Sequence, residues 1–401
     1  MAQTYWIIIQ SSRNTGVFEK EIANIPNFCV LPFTSLNVDP DGTVGQCCEQ
    51  NRQVLGLNIN NFTDLQTLYQ QPKLEFVRKA MLNNQRHISC NRCWQIEDAG
   101  GESQRQRTNK HYTNIEKDIP KPTQTDIPSI WDIRSSNRCN LKCRMCYPGA
   151  SDKIAEEQFV PKALLSWSHD IILPHIDKVK EIKLLGGEPT LDVKNYSLLR
   201  ALADAGRTDI LLEITTNATT AKGDFFDMLK KFNNVNITFS IDSVGATNDY
   251  IRTNSKYETL LRNIETYRKQ QNNWGFEISQ TVSIYNLHDY YTLWTELDIP
   301  VVTNMVFMPD YLSIANLPDE IKQKYTGPHN DQNVNEILQT HVNPQKCFAT
   351  MYNFLTYTNK LDIIRGTQYA DINPELWQDI KTWVNQNWSK YSTDIKQKVW
   401  P

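Results

Sequence analysis

Hydrophobic positions along residues 129–310 follow two alternating patterns, one typical of buried strands and the other of amphipathic helices. Short apolar runs recur six times, and the stretches between them carry apolar residues at helical spacing. Six strand–helix units in succession predict a parallel sheet that right-handed crossovers curl into part of a barrel. We therefore predict an α/β fold with a partial, TIM-like (β/α)6 barrel. The predicted strands are 129–134, 181–185, 210–216, 235–241, 276–284 and 300–307, and the clearest helical segments are 194–205, 222–232 and 256–270.

The regions on either side of the predicted barrel have different patterns. Residues 1–112 contain five cysteines and the turn signal Asp39-Pro40-Asp41-Gly42, which favours a short hairpin in a small N-terminal domain. Residues 113–128 contain three prolines and mixed charges, as in an extended linker. Residues 311–401 carry polar helical patterns and predict a helical extension that covers the barrel. The clearest of these patterns are 331–341 and 374–388.

Composition and charge restrict the class of protein. The chain has 401 residues, 40% hydrophobic and 22% charged, which is typical of a globular protein with two or three domains. Lys and Arg number 42 against 45 Asp and Glu, so there is no global basic field to hold a nucleic acid. The apolar run near Met1 is too short for a secretory signal, and no run of about 18 apolar residues occurs. We expect a cytoplasmic protein without a membrane span or a nucleic acid partner.

The chain contains nine cysteines, and eight of them fall in tight groups within the first 146 residues. An odd number in a chain without a secretory signal argues against a disulfide framework. Clustered reduced thiols indicate metal ligation, because thiolates are soft ligands suited to zinc or to iron–sulfur clusters. The cysteines are at positions 29, 47, 48, 90, 93, 139, 143, 146 and 347.

Three cysteines follow the first predicted strand directly, at Cys139, Cys143 and Cys146. Active sites of such barrels are built at the carboxyl ends of the strands. Three thiolates can hold three corners of a cubane cluster and leave the fourth iron open for another ligand. A structural zinc site would need a fourth protein ligand close by. None is evident, since the next histidine is His169.

The triplet, the motifs at three later strand ends and a fourth motif that contains Arg252 resemble the radical S-adenosylmethionine (SAM) superfamily, in order over about 129–310. The resemblance implies that the three cysteines bind a 4Fe–4S cluster whose open iron meets SAM. The matching motifs are Leu185-Gly186-Gly187-Glu188-Pro189, Thr215-Thr216-Asn217-Ala218, Ser240-Ile241-Asp242-Ser243 and Asp249-Tyr250-Ile251-Arg252.

The resemblance also implies which residues bind SAM. Its amino group would meet Gly186, Gly187 and Glu188, and its ribose would lie near Ser240 and Asp242. Taken alone, these motifs also have structural explanations, namely a tight turn at the glycines and helix capping by the polar side chains.

Two further positions match the family, and two depart from it. Arg252 corresponds to an arginine that contacts the SAM carboxylate, and Asn217 corresponds to the asparagine of a Thr-Asn-Gly motif. A surface ion pair and a helix cap are their structural alternatives. Met145 stands where an aromatic residue often packs on the adenine, although a thioether can also pack against a ring. Ala218 replaces the usual glycine.

The N-terminal cysteines resemble the auxiliary-cluster hairpin of twitch and SPASM domains, over about 27–112. The resemblance implies a second 4Fe–4S cluster held by Cys29, Cys47, Cys90 and Cys93. Cys48 is the alternative to Cys47, and the spacing from the turn glycine favours Cys47. Four thiolates with one Cys-x-x-Cys also describe a structural zinc site.

The radical SAM resemblance implies a reaction class. One electron from a flavodoxin or ferredoxin would cleave SAM reductively to a 5′-deoxyadenosyl radical, which abstracts a hydrogen atom from the substrate. Peptides or proteins are the expected substrates, since many such enzymes are maturases. A small molecule is the alternative, because only about 27 residues precede the cysteine-rich segment and leave no room for a winged-helix leader-binding domain. A non-catalytic zinc scaffold is the second alternative. Cys347 is a candidate hydrogen-atom donor, and burial as a small hydrophobe is its structural explanation.

Overall fold

The computed structural model describes residues 25–114, 127–270, 274–328 and 330–392. Most of the predicted linker at 113–128 lies outside the described residues, and so does the apolar run near Met1. No helix in the described part of the chain is long and apolar enough to cross a membrane.

Ten strands are present in the described residues, and six of them match the predicted strands to within two residues at each end. The match follows from the apolar runs, because every second side chain is buried in the strands Glu181–Leu185, Leu211–Thr216 and Asn234–Ser240. The strands are β1 (Ser35–Val38), β2 (Val44–Gly45), β3 (Ile130–Arg134), β4 (Lys142–Cys143), β5 (Glu181–Leu185), β6 (Leu211–Thr216), β7 (Asn234–Ser240), β8 (Arg252–Thr253), β9 (Trp274–Val282) and β10 (Val301–Met305).

Seventeen α-helices lie between and after these strands in the described residues. Side-chain caps define several starts; Ser151 and Asp192, for example, accept hydrogen bonds from the first turns that follow them. The helices are α1 (Leu31–Thr34), α2 (Arg52–Leu55), α3 (Leu65–Tyr69), α4 (Pro72–Leu82), α5 (Asn91–Asp98), α6 (Gln104–Asn114), α7 (Asp152–Glu157), α8 (Val193–Asp204), α9 (Asp224–Leu229), α10 (Gly245–Ile251), α11 (Tyr257–Arg268), α12 (Leu293–Glu296), α13 (Asp319–Tyr325), α14 (Gln332–Leu338), α15 (Pro344–Arg365), α16 (Tyr369–Ile372) and α17 (Pro374–Tyr391).

The chain forms two compact units. The first combines the residues up to Arg138 with Leu164–Ile214 and Gly223–Val235. Its strands have the order β2-β1-β3-β5-β6. The pairs β1–β3, β3–β5 and β5–β6 are parallel, as predicted for the barrel strands.

The predicted hairpin is formed by β1 and β2, which pair antiparallel. Gly42 allows the turn because its φ is +86°, and its N–H donates to the Asp39 carbonyl at 2.8 Å. The same β1 also pairs parallel with β3, with Asn37 opposite Asp132. The first unit therefore contains both the N-terminal hairpin and the first strand of the predicted barrel. The predicted domain boundaries stay a prediction.

The second unit combines Cys139–Ala163, Thr215–Lys222 and the chain from Asn236 onward. Its strands have the order β7-β9-β10, with β9 and β10 parallel. A small antiparallel pair joins β4 to β8 and places Cys143 opposite Arg252. Parallel strands and helices in both units confirm the predicted α/β class.

The predicted helical extension forms the C-terminal part of the second unit. α15 and α17 pack on each other and on residues after β9 through a continuous hydrophobic core. Buried members of this core include Tyr285, Phe348, Met351, Phe354 and Ile380. Eight of the 22 residues of α15 are buried, whereas Asn359, Lys360 and Ile363 are exposed, so one side of α15 packs in the core and the other meets solvent.

Candidate functional site

The segment after β3 carries Cys139, Cys143 and Cys146 within eight residues, with Cys143 in β4. The Cys139 N–H donates to Asp152 Oδ1 at 2.8 Å, and the Cys146 N–H donates to the Cys143 carbonyl at 3.1 Å. All three cysteines are partly buried. Burial raises the pKa of Cys146 to about 12, with smaller contributions from the neighbouring Cys143 and Cys139 sulfurs. The structure therefore brings these three predicted ligands together.

Arg252 and Asp242 form an ion pair beside Cys143. Arg252 Nε lies 2.8 Å from Asp242 Oδ2, and Arg252 Nη1 lies 4.0 Å from the Cys143 sulfur. Asp242 is fully buried, and its Oδ1 accepts the Thr281 N–H at 3.0 Å. Burial raises the pKa of Cys143; the Arg252 cation opposes that rise, and the Asp242 carboxylate adds to it. The ion pair holds the Arg252 cation close to this sulfur.

The two glycines after β5 pack against the backbone that leads into Cys139. A Cβ on Gly187 would lie 2.1 Å from the Arg138 carbonyl oxygen, and the Glu188 N–H donates to that oxygen at 2.7 Å. Gly186 has φ of +119°, and a Cβ there would lie 2.6 Å from another carbonyl of the same segment. Only glycine fits at these two positions without moving the backbone.

Glu188 begins the short 3₁₀ helix Pro189–Leu191 and is 2% exposed. Its Oε1 accepts hydrogen bonds from the N–H of Thr190 at 3.2 Å and from the Thr190 hydroxyl at 2.7 Å. The capping explanation thus accounts for one carboxylate oxygen. Contact with the SAM amino group stays a prediction for Glu188.

Asn217 is tied to the residue that follows Cys139. Its Nδ2 donates to Asn140 Oδ1 at 2.9 Å, and its Oδ1 accepts from the Thr219 hydroxyl at 2.7 Å. The neighbouring Ala218 has φ of +54°, in the left-handed region that favours glycine. The departure from Thr-Asn-Gly therefore keeps the backbone shape at the cost of strain.

The last two predicted SAM contacts are partly buried. Ser240 is the final residue of β7, and Met145 packs against the hydrophobic core of the second unit. Roles for these side chains toward the ribose and the adenine stay predictions.

Four cysteines of the N-terminal set, Cys29, Cys47, Cys90 and Cys93, line one cavity in the first unit. Burial raises the pKa of Cys90 to about 11. Burial also raises the pKa of Cys29 well above its usual range, and the nearby Cys90 and Cys93 add to that rise. Cys48 is exposed, and the lining residues described for this cavity include Cys47 but not Cys48.

Arg105 lines the same cavity and was not selected by sequence reasoning. It forms a buried ion pair with Glu97 at 2.7 Å, and its Nη1 donates to the Phe28 carbonyl at 2.7 Å. Its cation opposes the rise in the pKa of Cys29. The sequence feature that could have identified Arg105 is the run of polar and cationic residues after Cys93, at 94–107.

Both cysteine groups consist of thiols alone, which is the donor set of four-iron clusters. Within the described ranges, no group of three or more His, Cys, Asp or Glu side chains is placed to hold a metal ion. In a four-iron cluster each thiolate binds a different iron, so the thiolates stand farther apart than around one zinc ion. The donor chemistry at both positions fits a cluster.

Cys347 lies in the hydrophobic core of the second unit and is 3% exposed. Its thiol donates to the Asn316 carbonyl at 3.3 Å. Burial raises its pKa to about 12. These surroundings favour the structural explanation, and the role of hydrogen-atom donor stays a prediction.

Residues 133–295, from β3 to α12, match the Radical SAM superfamily. This segment is therefore a radical SAM domain, and the resemblance seen in its motifs is confirmed. The pre-heme d1 synthase of Dinoroseobacter shibae (strain DSM 16493 / NCIMB 14021 / DFL 12) is 29% identical over 157 residues, which are 39% of this chain and 36% of the relative. The sporulation killing factor maturation protein SkfB of Bacillus subtilis (strain 168) is 25% identical over 130 residues, 31% of this chain and 29% of the relative.

The chain thus spans about a third of the length of the two curated relatives. Among solved structures, native anSMEcpe with bound AdoMet superposes with a TM-score of 0.37 and 16% identity, over 60% of this chain and 62% of that chain. The domain match and the synthase relative support an enzyme.

Proposed function

We propose that this protein is a radical SAM enzyme that modifies a peptide or protein. The observation that carries the proposal is the placement of Cys139, Cys143 and Cys146 within eight residues at the start of the matched segment, where the first two sulfurs act electrostatically on the third. These thiolates would hold a 4Fe–4S cluster and leave one iron for SAM. When bound, the reduced cluster and SAM supply a 5′-deoxyadenosyl radical that abstracts a hydrogen atom from the substrate.

We infer that the side chains selected by the resemblance orient SAM. Glu188, held by Thr190, offers a buried carboxylate for the SAM ammonium group. Arg252, held by Asp242, offers a cation for the SAM carboxylate. Charge-assisted hydrogen bonds of this kind are strong where water is excluded, because the local dielectric constant is low.

The peptide substrate is supported by the relative SkfB, a maturation protein. The second candidate is a small-molecule substrate, supported by the pre-heme d1 synthase relative. We propose a flavodoxin or ferredoxin as the electron donor in either case. A binding survey against peptides and metabolites separates the two, since saturable binding of a metabolite alone would contradict the peptide proposal.

We further propose that Cys29, Cys47, Cys90 and Cys93 hold an auxiliary 4Fe–4S cluster. The convergence of four thiols on one cavity supports this ligand set. Structural zinc is the competing occupant.

The content of iron, sulfide and zinc per chain, measured after anaerobic reconstitution, tests both proposals. We expect about eight irons in the wild type and about four in the Cys139/Cys143/Cys146→Ala variant, because one of two four-iron clusters is lost. A fall from about four irons to none, with zinc retained, would make the N-terminal set a zinc site. Wild-type protein that takes up no iron would refute the radical SAM activity.

Two single variants, at the adjacent residues Cys47 and Cys48, test the auxiliary ligand set. Cys47→Ala is expected to lose about four irons, because Cys47 lines the cavity. Cys48→Ala is the matched control and is expected to keep them, because Cys48 is exposed. Iron analysis of both variants gives the result, and the reverse outcome would exchange their roles.

A further inference from the structure

Helix α15 of the C-terminal extension contacts the backbone on both sides of Cys143. Arg365 Nη1 donates to the Lys142 carbonyl at 2.8 Å, and the Tyr357 hydroxyl donates to the Arg144 carbonyl at 3.0 Å. These carbonyls belong to the residues immediately before and after Cys143. Helix α15 therefore fixes the position of Cys143, a proposed cluster ligand. The helix residues that make these contacts lie more than 200 positions after Cys143 in the sequence.

The side chain of Arg144, between Cys143 and Cys146 in the sequence, is held by the same helix. Its Nη2 lies 2.7 Å from Asp362 Oδ1, with 0% and 10% of the two side chains exposed. Arg144 Nε donates to the Tyr250 carbonyl at 3.0 Å, and the guanidinium lies 3.6 Å from the centre of the Tyr250 ring. This cation is thus buried and has a fixed orientation.

Asp362 is fixed as firmly as its partner. Its Oδ1 also accepts from the Tyr250 hydroxyl and the Thr367 hydroxyl, each at 2.9 Å. Its Oδ2 accepts the Tyr369 N–H at 2.9 Å. A carboxylate held by so many donors has a fixed geometry, in which it faces the Arg144 guanidinium directly.

We propose that Asp362 is a positioning residue for the SAM-binding cluster: through Arg144 it holds the segment between Cys143 and Cys146 and cancels a positive charge beside the cluster. This inference rests on the proposed function, since it assumes that these cysteines bind the cluster. Buried charges near a cluster act through a low dielectric and so change its reduction potential. The other charges around this segment have partners of their own: Arg252 is paired with Asp242, and Glu157 is shared between Lys142 and Arg365.

Three variants of the full chain test the proposal by redox titration of the cluster, monitored by electron paramagnetic resonance. Asp362→Asn leaves the Arg144 cation uncompensated and is expected to shift the midpoint potential upward. Arg144→Gln leaves the Asp362 anion uncompensated and is expected to shift it downward. The double variant removes both charges and is expected to return the potential toward that of the wild type. A role in packing alone would not produce shifts of opposite sign.

The exposed Asp371 in α16 provides a matched control, and Asp371→Asn is expected to leave the potential unchanged. If a single variant loses the cluster, the double variant decides: recovery of the iron supports charge balance, and failure to recover it overturns the proposal. An intact cluster with the same potential in all three variants would also overturn it. Unchanged iron in the Cys139/Cys143/Cys146→Ala variant would instead refute the cluster itself, so the two failures are distinguishable.

Discussion

Cys143→Ala is expected to abolish reductive SAM cleavage, lowering the rate by at least about a thousandfold. Cys143 is the middle thiol of the triplet and the only one of the three that lies in a strand, where it pairs with Arg252. Its loss would remove one of the three proposed cluster ligands, and without the cluster the electron would have no route to SAM. The measurement is 5′-deoxyadenosine formed per chain under anaerobic conditions with a strong reductant.

Cys347→Ala is the control for that experiment, because Cys347 is buried in the core of the second unit and not near the triplet in the sequence. We expect SAM cleavage within about twofold of the wild type, since a buried thiol replaced by alanine is a small core change. Cleavage that survives in Cys143→Ala would contradict the ligand assignment. Full turnover of the true substrate by Cys347→Ala would exclude this cysteine as a hydrogen-atom donor.

The strands of the barrel were predictable because their signal is local. In β6, Leu212 and Ile214 are buried and lie within a short apolar run, which periodicity detects directly. The cysteine triplet was predictable for the same reason, since its ligands lie within eight residues of one another. Local spacing therefore identified both the framework and the most specific part of the candidate site.

Contacts between distant residues were not predictable, because no single-sequence pattern reports them. The parallel pairing of β1 with β3 joins residues such as Asn37 and Asp132. The ion pair of Arg144 with Asp362 spans 218 positions. Neither Arg144 nor Asp362 belongs to a recognisable motif in its own segment of the sequence. The two charges interact only after the chain folds.

The motif after β5 illustrates a third case, in which the residues were predicted and their physical reason was not. The resemblance assigned Gly187 to the SAM amino group. The structure adds that its missing side chain makes room for the Arg138 carbonyl. That steric reason concerns the path of the chain into Cys139 and holds whether or not SAM is bound.

Gly187→Ala is accordingly expected to destabilise the protein by about 3 kcal/mol or more and to empty the three-cysteine site. The added Cβ would lie 2.1 Å from the Arg138 oxygen and 2.5 Å from its carbonyl carbon. Because the obstacle is backbone, no side-chain rotation relieves it, and the segment that carries Cys139 has to move. Denaturant unfolding and iron analysis of the variant measure the two effects.

Gly206→Ala is the matched control for Gly187→Ala. Gly206 has φ of +72°, so alanine there is strained, but no atom lies within 4 Å of the added Cβ. We expect a loss of only about 1 kcal/mol and unchanged iron, because the cost is conformational and the site is open. If Gly187→Ala unfolds like Gly206→Ala and keeps all its iron, the carbonyl contact does not determine the position of Cys139. A large loss confined to Gly187→Ala would show that the glycine motif shapes the backbone that leads into Cys139.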